Sequence, residues 1–125
     1  MVGIYIVYIP AFYKLLSTSY GYYMIKKIFS KEELNLDGFY DFDCFKQKLD
    51  LKNATSLAGR FAAKEAIIKA LDGDLDLDDL NKIAILHSEN KKPIVEFIHS
   101  GGKKYDILIS ISHDCDYAIS VAVVI

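Results

Sequence analysis

The sequence predicts an α+β domain in which a long central helix packs on a small antiparallel sheet. Three stretches predict it. Leu57 to Leu71 (LAGRFAAKEAIIKAL) concentrates strong helix formers, and at about 100° per residue Leu57, Phe61, Ile68 and Leu71 make one apolar stripe. Gly3 to Ile9 is rich in β-branched and aromatic residues and is closed by Pro10, which is the pattern of a buried strand. The last third alternates apolar and polar residues between turn-forming segments, as the strands of a sheet do. With 125 residues, 52% hydrophobic and 26% charged, the chain reads as a single domain over 1–125. No internal repeat, linker or low-complexity segment interrupts it.

In chain order, the first strand puts Tyr5, Val7 and Ile9 on one face and Ile4, Ile6 and Tyr8 on the other. Phe12 to Phe29 is helical with a break at Gly21, and its aromatic side chains suit packing against the sheet or another subunit. Ser30 and Glu33 fit a capping box at the start of a short helix. Leu36 to Lys52 carries the acidic and aromatic residues Asp37, Tyr40, Asp41 and Asp43 in a loop with a short helix, and Asn53, Thr55 or Ser56 can cap the central helix. On that helix Lys64 falls inside the apolar stripe and Glu65 on its flank, with Lys69 at i+4, while alanines line most of the remaining circumference. Charges on a helix buried nearly all round need a partner or a ligand. Asp72-Gly73-Asp74 stops the helix with Gly73 as a left-handed cap. The run Asp74 to Asp79 lacks the glycine and distal glutamate of a calcium loop and reads as a solvated linker. Lys82 to His87 and Ile94 to His99 are strands around the turn Ser88 to Pro93, Gly101-Gly102 is a further turn, and Tyr105 to Ser112 and Tyr117 to Ile125 form a hairpin around His113 to Asp116.

Composition narrows the function. A formal charge of -2 gives no electrostatic reason to expect nucleic acid, and Lys26, Lys27 and Lys31 are the best local basic patch. Cys44 and Cys115 have no metal-like spacing; they suggest reduced thiols in a cytoplasmic setting, with a disulfide the alternative left open. The apolar start, MVGIYIVYIPAFY, is too short to span a bilayer and lacks the basic region of a signal peptide, so no membrane partner is expected.

The helix Gly59-Arg60-Phe61-Ala62-Ala63-Lys64-Glu65-Ala66, followed by Lys69-Ala70, resembles the signature of the phosphopantetheinyl transferase superfamily, G-R-F-[AS]-A-K-E-A then K-A, in particular the small holo-acyl-carrier-protein synthases. Ile109-Ser110-Ile111-Ser112-His113 and Tyr117-Ala118 are similar to the second signature, and Lys27 to Leu34 resembles the [RK]-[IV]-[FL]-[ST]-x-x-E-L segment. The resemblance implies transfer of 4'-phosphopantetheine from coenzyme A to a serine of an acyl or peptidyl carrier protein, with Mg2+, in a homotrimer whose sites lie between subunits.

Carried over residue by residue, the resemblance makes Glu65 the magnesium ligand and a group that helps draw the serine proton, and Lys69 the neutraliser of phosphate charge. Arg60 and Lys64 contact the coenzyme A phosphates or hold the site through ion pairs. His113, with Ser112 nearby, reaches the 3'-phosphate end; capping a strand end is the structural alternative for His113. His87 and His99 match no motif and read as surface or strand-edge residues. The chain departs from the pattern in four places: Tyr5 stands at the metal-binding aspartate, Tyr8 at the following glutamate, Ala11 at an arginine that helps dock the acidic carrier, and Lys91 at the glycine of an N-G-K-P turn. Tyr5 leaves three outcomes open: a weaker transferase whose metal is held mostly by coenzyme A and water, one with a relocated carboxylate, or a relative that binds coenzyme A or a carrier protein without catalysis.

Overall fold

The computed structural model describes residues 1–98 and 105–125. The chain runs β1 (Val2–Tyr8), α1 (Ile9–Leu16), α2 (Gly21–Ile28), α3 (Lys31–Leu36), α4 (Phe42–Lys48), α5 (Leu51–Leu71), a 3-10 helix (Leu77–Lys82), β2 (Ile83–His87), β3 (Pro93–Phe97), β4 (Ile107–Asp114) and β5 (Tyr117–Val124). β1, β5 and β4 form one antiparallel sheet in that order, and β2 and β3 form a separate antiparallel pair. The single sheet expected from the sequence is therefore two. The turn at Gly101-Gly102 and His99 lie outside the described residues.

α5 is the axis of the molecule, about 30 Å long at 1.5 Å per residue. Its small residues let it lie directly on the three-stranded sheet. A Cβ built at Gly3 of β1 would fall 1.9 Å from the Ala66 carbonyl oxygen, and one at Gly59 would meet Ile111 of β4 at 3.0 Å. Strand and helix backbones thus touch at β1 near Ala66, and at β4 the Ile111 side chain packs on Gly59, so α5 crosses the sheet from one edge to the other. The opposite side of α5 is buried too. Leu57, Ala58 and Ala62 pack with Phe12, Ile25 and Phe45 of the shorter helices and with Phe29 just after α2, and Ala63, Ile67 and Leu71 pack with Ile83 and Ile85 of β2.

Several boundaries differ from the sequence expectation. β1 ends at Tyr8 because Ile9 and Pro10 open α1, where a proline in the first turn loses no hydrogen bond. The segment after Phe12 is two helices, separated at Ser17 to Tyr20. The cap of α5 is Asp50, whose side chain accepts from the Asn53 amide at 2.8 Å, rather than Asn53, Thr55 or Ser56. Thr55 instead donates to the Leu51 carbonyl one turn back. At the far end Asp72 takes the left-handed position (φ 48°), followed by Gly73 (φ 97°). The acidic run after it is ordered as the 3-10 helix, with Asp76 and Asp79 forming a reciprocal cap.

Among the described residues no element covers the outer face of the three-stranded sheet. Ile4, Val121 and Ser110 stand in one cross-strand row, Ile6, Ile119 and Ser112 in the next, and Val2, Val123 and Leu108 in a third. Ile4 and Ile6 are 52% and 56% exposed. Cys44 and Cys115 are free thiols, and among the described residues no helix is long and apolar enough to cross a membrane.

Candidate functional site

The signature residues fall into two groups on opposite flanks of α5. At about 100° per residue Arg60 and Lys69 point to opposite sides of the helix. The sheet repeats this division, because β1 beside Lys69 and β4 beside Arg60 are its two edges, about 10 Å apart with β5 between them.

The first group is Tyr5, Glu65 and Lys69. Lys69 Nζ donates to the Ile4 carbonyl at 3.2 Å and lies over the Tyr5 ring, 5.3 Å from its centroid. Tyr5 meets Phe61 edge-on at 5.9 Å, and Phe61 stacks on Phe12 at 5.4 Å, so the phenol is seated in packed aromatic surface. Burial, aided by the charge of Glu65, pushes the Tyr5 hydroxyl above its usual value of 10, so at neutral pH it is an uncharged phenol. Burial also raises the Glu65 carboxyl, with the Lys69 ammonium opposing the shift. Glu65 is in direct ion pair with no cation among the described residues. An ammonium and a carboxylate without a direct mate, side by side at a half-buried surface, are arranged to share a charged ligand.

The second group lines a groove of about 380 Å³ between α5, β4 and the β2–β3 turn. Thr55, Ser56, Gly59 and Arg60 of α5 form one wall, Ile109, Ile111 and His113 another, and His87, Lys91 and Pro93 the third. The imidazole of His113 makes no hydrogen bond among the described residues, so it caps no strand end there. Lys91 holds a left-handed backbone (φ 60°), the conformation glycine takes most easily. A guanidinium, an ammonium and two imidazoles line one groove, the kinds of group that can hold an anion, with Arg60 already paired to Asp37.

Two expected members are elsewhere. Ser112 neighbours His113 in sequence, but strand alternation puts its side chain on the outer sheet face in the row of Ile6 and Ile119. Lys64 is 0% exposed and donates to the carbonyls of Ile28 (2.9 Å), Leu80 (3.2 Å) and Ile83 and to Glu33. Burial lowers it to about 8, with Glu33 pulling the other way. Of its two sequence roles it takes the ion-pair one, because an ammonium with four acceptors and no exposed surface has no donor to offer a ligand. Glu33 likewise does more than cap α3: its Oε1 accepts from the Ser30 amide and hydroxyl, both at 3.0 Å, and from Lys64. Thr55 and Ser56 were legible, one turn before Gly59 and Arg60 on the same helix face. His87 and Lys91 had no signal, since their place depends on how β2–β3 folds back.

The family model described as the 4'-phosphopantetheinyl transferase superfamily matches residues 1–122. The chain belongs to this superfamily. A holo-[acyl-carrier-protein] synthase of Chlorobaculum parvum is 46% identical over 72 residues, 57% of this chain and 61% of that protein. One from Clostridium acetobutylicum is 35% identical over 109 residues, 82% of this chain and 80% of that protein. The chain thus spans between about three-fifths and four-fifths of the length of these curated relatives. Among solved structures, the Helicobacter pylori holo-[acyl-carrier-protein] synthase in complex with coenzyme A superposes with a TM-score of 0.72 at 29% identity, covering 99% of both chains. That of Neisseria meningitidis gives 0.74 at 26% identity, covering 98% of this chain and 95% of the other. The α+β fold with a long helix on small antiparallel sheets is therefore the fold of this superfamily's synthases.

Proposed function

We propose that this superfamily member is a holo-acyl-carrier-protein synthase, moving 4'-phosphopantetheine from coenzyme A to a carrier-protein serine. The carrying observation is the pairing of Glu65 and Lys69, neither in a direct ion pair among the described residues, on one flank of α5 with an Arg60 and His113 groove on the other. In the transfer, the serine oxygen forms a bond to the β-phosphorus as the bond from that phosphorus to the bridging oxygen breaks, and adenosine 3',5'-bisphosphate leaves. Such transfers demand positioning and charge neutralisation more than covalent chemistry. Lys69 is placed to neutralise charge on the phosphate oxygens, and Glu65 to receive the serine proton through water. Arg60, His113 and Lys91 bind the nucleotide phosphate.

Mg2+ fits this donor set through one residue. Glu65 would be its single carboxylate, with substrate phosphates and water completing the shell, which is how Mg2+ is commonly held. Bound there it would supply further neutralisation of the diphosphate. Tyr5 is no second ligand, because its neutral phenol offers no anionic oxygen.

The two groups cannot meet within one chain, since they lie on opposite flanks of α5. They meet when the groove of one copy abuts the Glu65 flank of the next, and the uncovered apolar sheet face is where copies can associate. This reading assembles the site between copies of the chain, and the family resemblance makes the assembly a homotrimer.

Mass spectrometry of an apo carrier protein incubated with coenzyme A, Mg2+ and this chain tests the reading. The expected result is addition of one phosphopantetheine per carrier, abolished in Glu65→Gln; no addition to any carrier of the same organism overturns it. The neutral Tyr5 favours one rival, a coenzyme A-binding relative without catalysis. In that rival Tyr5→Asp creates activity where wild type has none, whereas a working enzyme starts from measurable activity.

A further inference from the structure

We propose that Asp37 is a built-in competitor for Arg60, displaced by the phosphate of the incoming coenzyme A, and that Glu33 is the positioning residue that keeps the guanidinium in place during the exchange. The inference rests on the groove being the coenzyme A site. Arg60 is held by three groups. Its guanidinium lies over the Phe29 ring, 5.3 Å from the centroid, and Nη1 stands 3.7 Å from Glu33 Oε2. Nη2 pairs with Asp37 Oδ2.

The two carboxylates are built differently. Glu33 is fully buried and its Oε1 is committed to Ser30 and Lys64, whereas its Oε2 has no hydrogen-bond partner. A buried carboxylate oxygen left without a donor is costly, so Oε2 holds a standing attraction for Nη1. Asp37, in contrast, has a side chain 28% exposed and can turn into water. It is also the C-cap of α3, where the helix carbonyls disfavour a negative charge. Its position therefore serves Arg60 rather than its own helix.

Charge balance gives the exchange its direction. Arg60, Lys64, Glu33 and Asp37 form a buried or half-buried set of two cations and two anions. Arg60 lines the groove and Asp37 does not, so a phosphate entering the groove meets Asp37 only through their shared partner Arg60, and the partly exposed acid is the one that can leave. Arg60 then donates one arm to phosphate and the other to Glu33 Oε2. The empty groove is thereby kept from holding an uncompensated arginine.

The test is titration of coenzyme A into Asp37→Asn and, as a control, Asp43→Asn, by calorimetry at fixed ionic strength. Asp43 is an exposed acid of the neighbouring helix α4. Removing the competitor is expected to tighten binding about three- to five-fold, the scale of a partly exposed ion pair. KM for coenzyme A should fall by the same factor. Asp43→Asn should move neither by as much as about two-fold. Glu33→Gln should weaken binding and lower the melting temperature. Should it fail to fold, Asp37→Asn decides alone, because that side chain is not buried. Unchanged or weaker binding in Asp37→Asn, or an equal gain in Asp43→Asn, overturns the inference. Wild type that binds no coenzyme A sinks the functional reading instead, so the two failures are distinguishable.

Discussion

At the scale of single residues, the site depends on what α5 does with its charges. Glu65 is ionisable at a half-buried surface, and burial holds its carboxyl above the ordinary 4.5. The role proposed for it requires the ionised form, so the rate is expected to fall as pH drops through the raised value. The acid limb of kcat/KM, which reports groups of the free enzyme, is therefore expected above the usual carboxylate range. Lys69 opposes the shift, so Lys69→Met should move the limb to still higher pH as well as lowering the plateau about a hundred-fold, a typical loss for a charge-stabilising donor. A pH profile of both proteins reads the two effects separately. A limb that stays put or moves down in Lys69→Met would show that the two side chains do not act on one another. Lys64 carries the same ammonium four residues after Arg60, yet it serves the fold: it ties the end of α2, α3, the 3-10 helix and β2 at one point. The helical period sets Lys64 inside the apolar stripe and Lys69 off it, but the carbonyls that three remote segments bring to Lys64 are not legible in sequence.

At the scale of elements, what was legible follows from how local the cause is. The existence of α5 was readable, since alanine content and the 3.6-residue period act within the helix. Its first turn was not, because Leu51 and Lys52 face water and carry no apolar period, so the polar residues after them resembled caps. β1 was readable from its β-branched and aromatic run, although it is buried on one face only, while the separation of β2–β3 from the main sheet was not, since pairing between strands is set by tertiary contacts. The β2–β3 turn shows a local rule overridden. Lys91 accepts a left-handed φ of 60° that costs a non-glycine residue about 1 kcal/mol. It stands at the groove mouth. Lys91→Gly is therefore expected to raise stability by about 0.5–1 kcal/mol in a denaturant titration while weakening coenzyme A binding. A variant that gains stability and binds equally well would mean that the ammonium has no part in the groove.

At the scale of the whole molecule, geometry separates the flank proposed for catalysis from the groove proposed for the nucleotide, and this makes a prediction that no single-chain enzyme shares. Glu65→Gln removes the carboxylate from every copy but leaves each groove intact, while His113→Ala damages every groove but leaves each Glu65. Each variant alone is expected to lose most activity. If sites form between neighbours, mixing the two after dissociation and reassembly creates some interfaces in which an intact Glu65 flank meets an intact groove. For random assembly about a quarter of the interfaces are of this kind, so activity should return to roughly that fraction of wild type. If each site were completed within one chain, every site in the mixture would carry a lesion and nothing would return. Placing Ile6→Arg in both partners sets an internal check. A buried, unpaired charge on the sheet face should block association, giving monomers by light scattering with helical content retained. Recovery of activity should disappear with it. Recovery that survives in monomers would place the site within one chain and separate the apolar sheet face from catalysis.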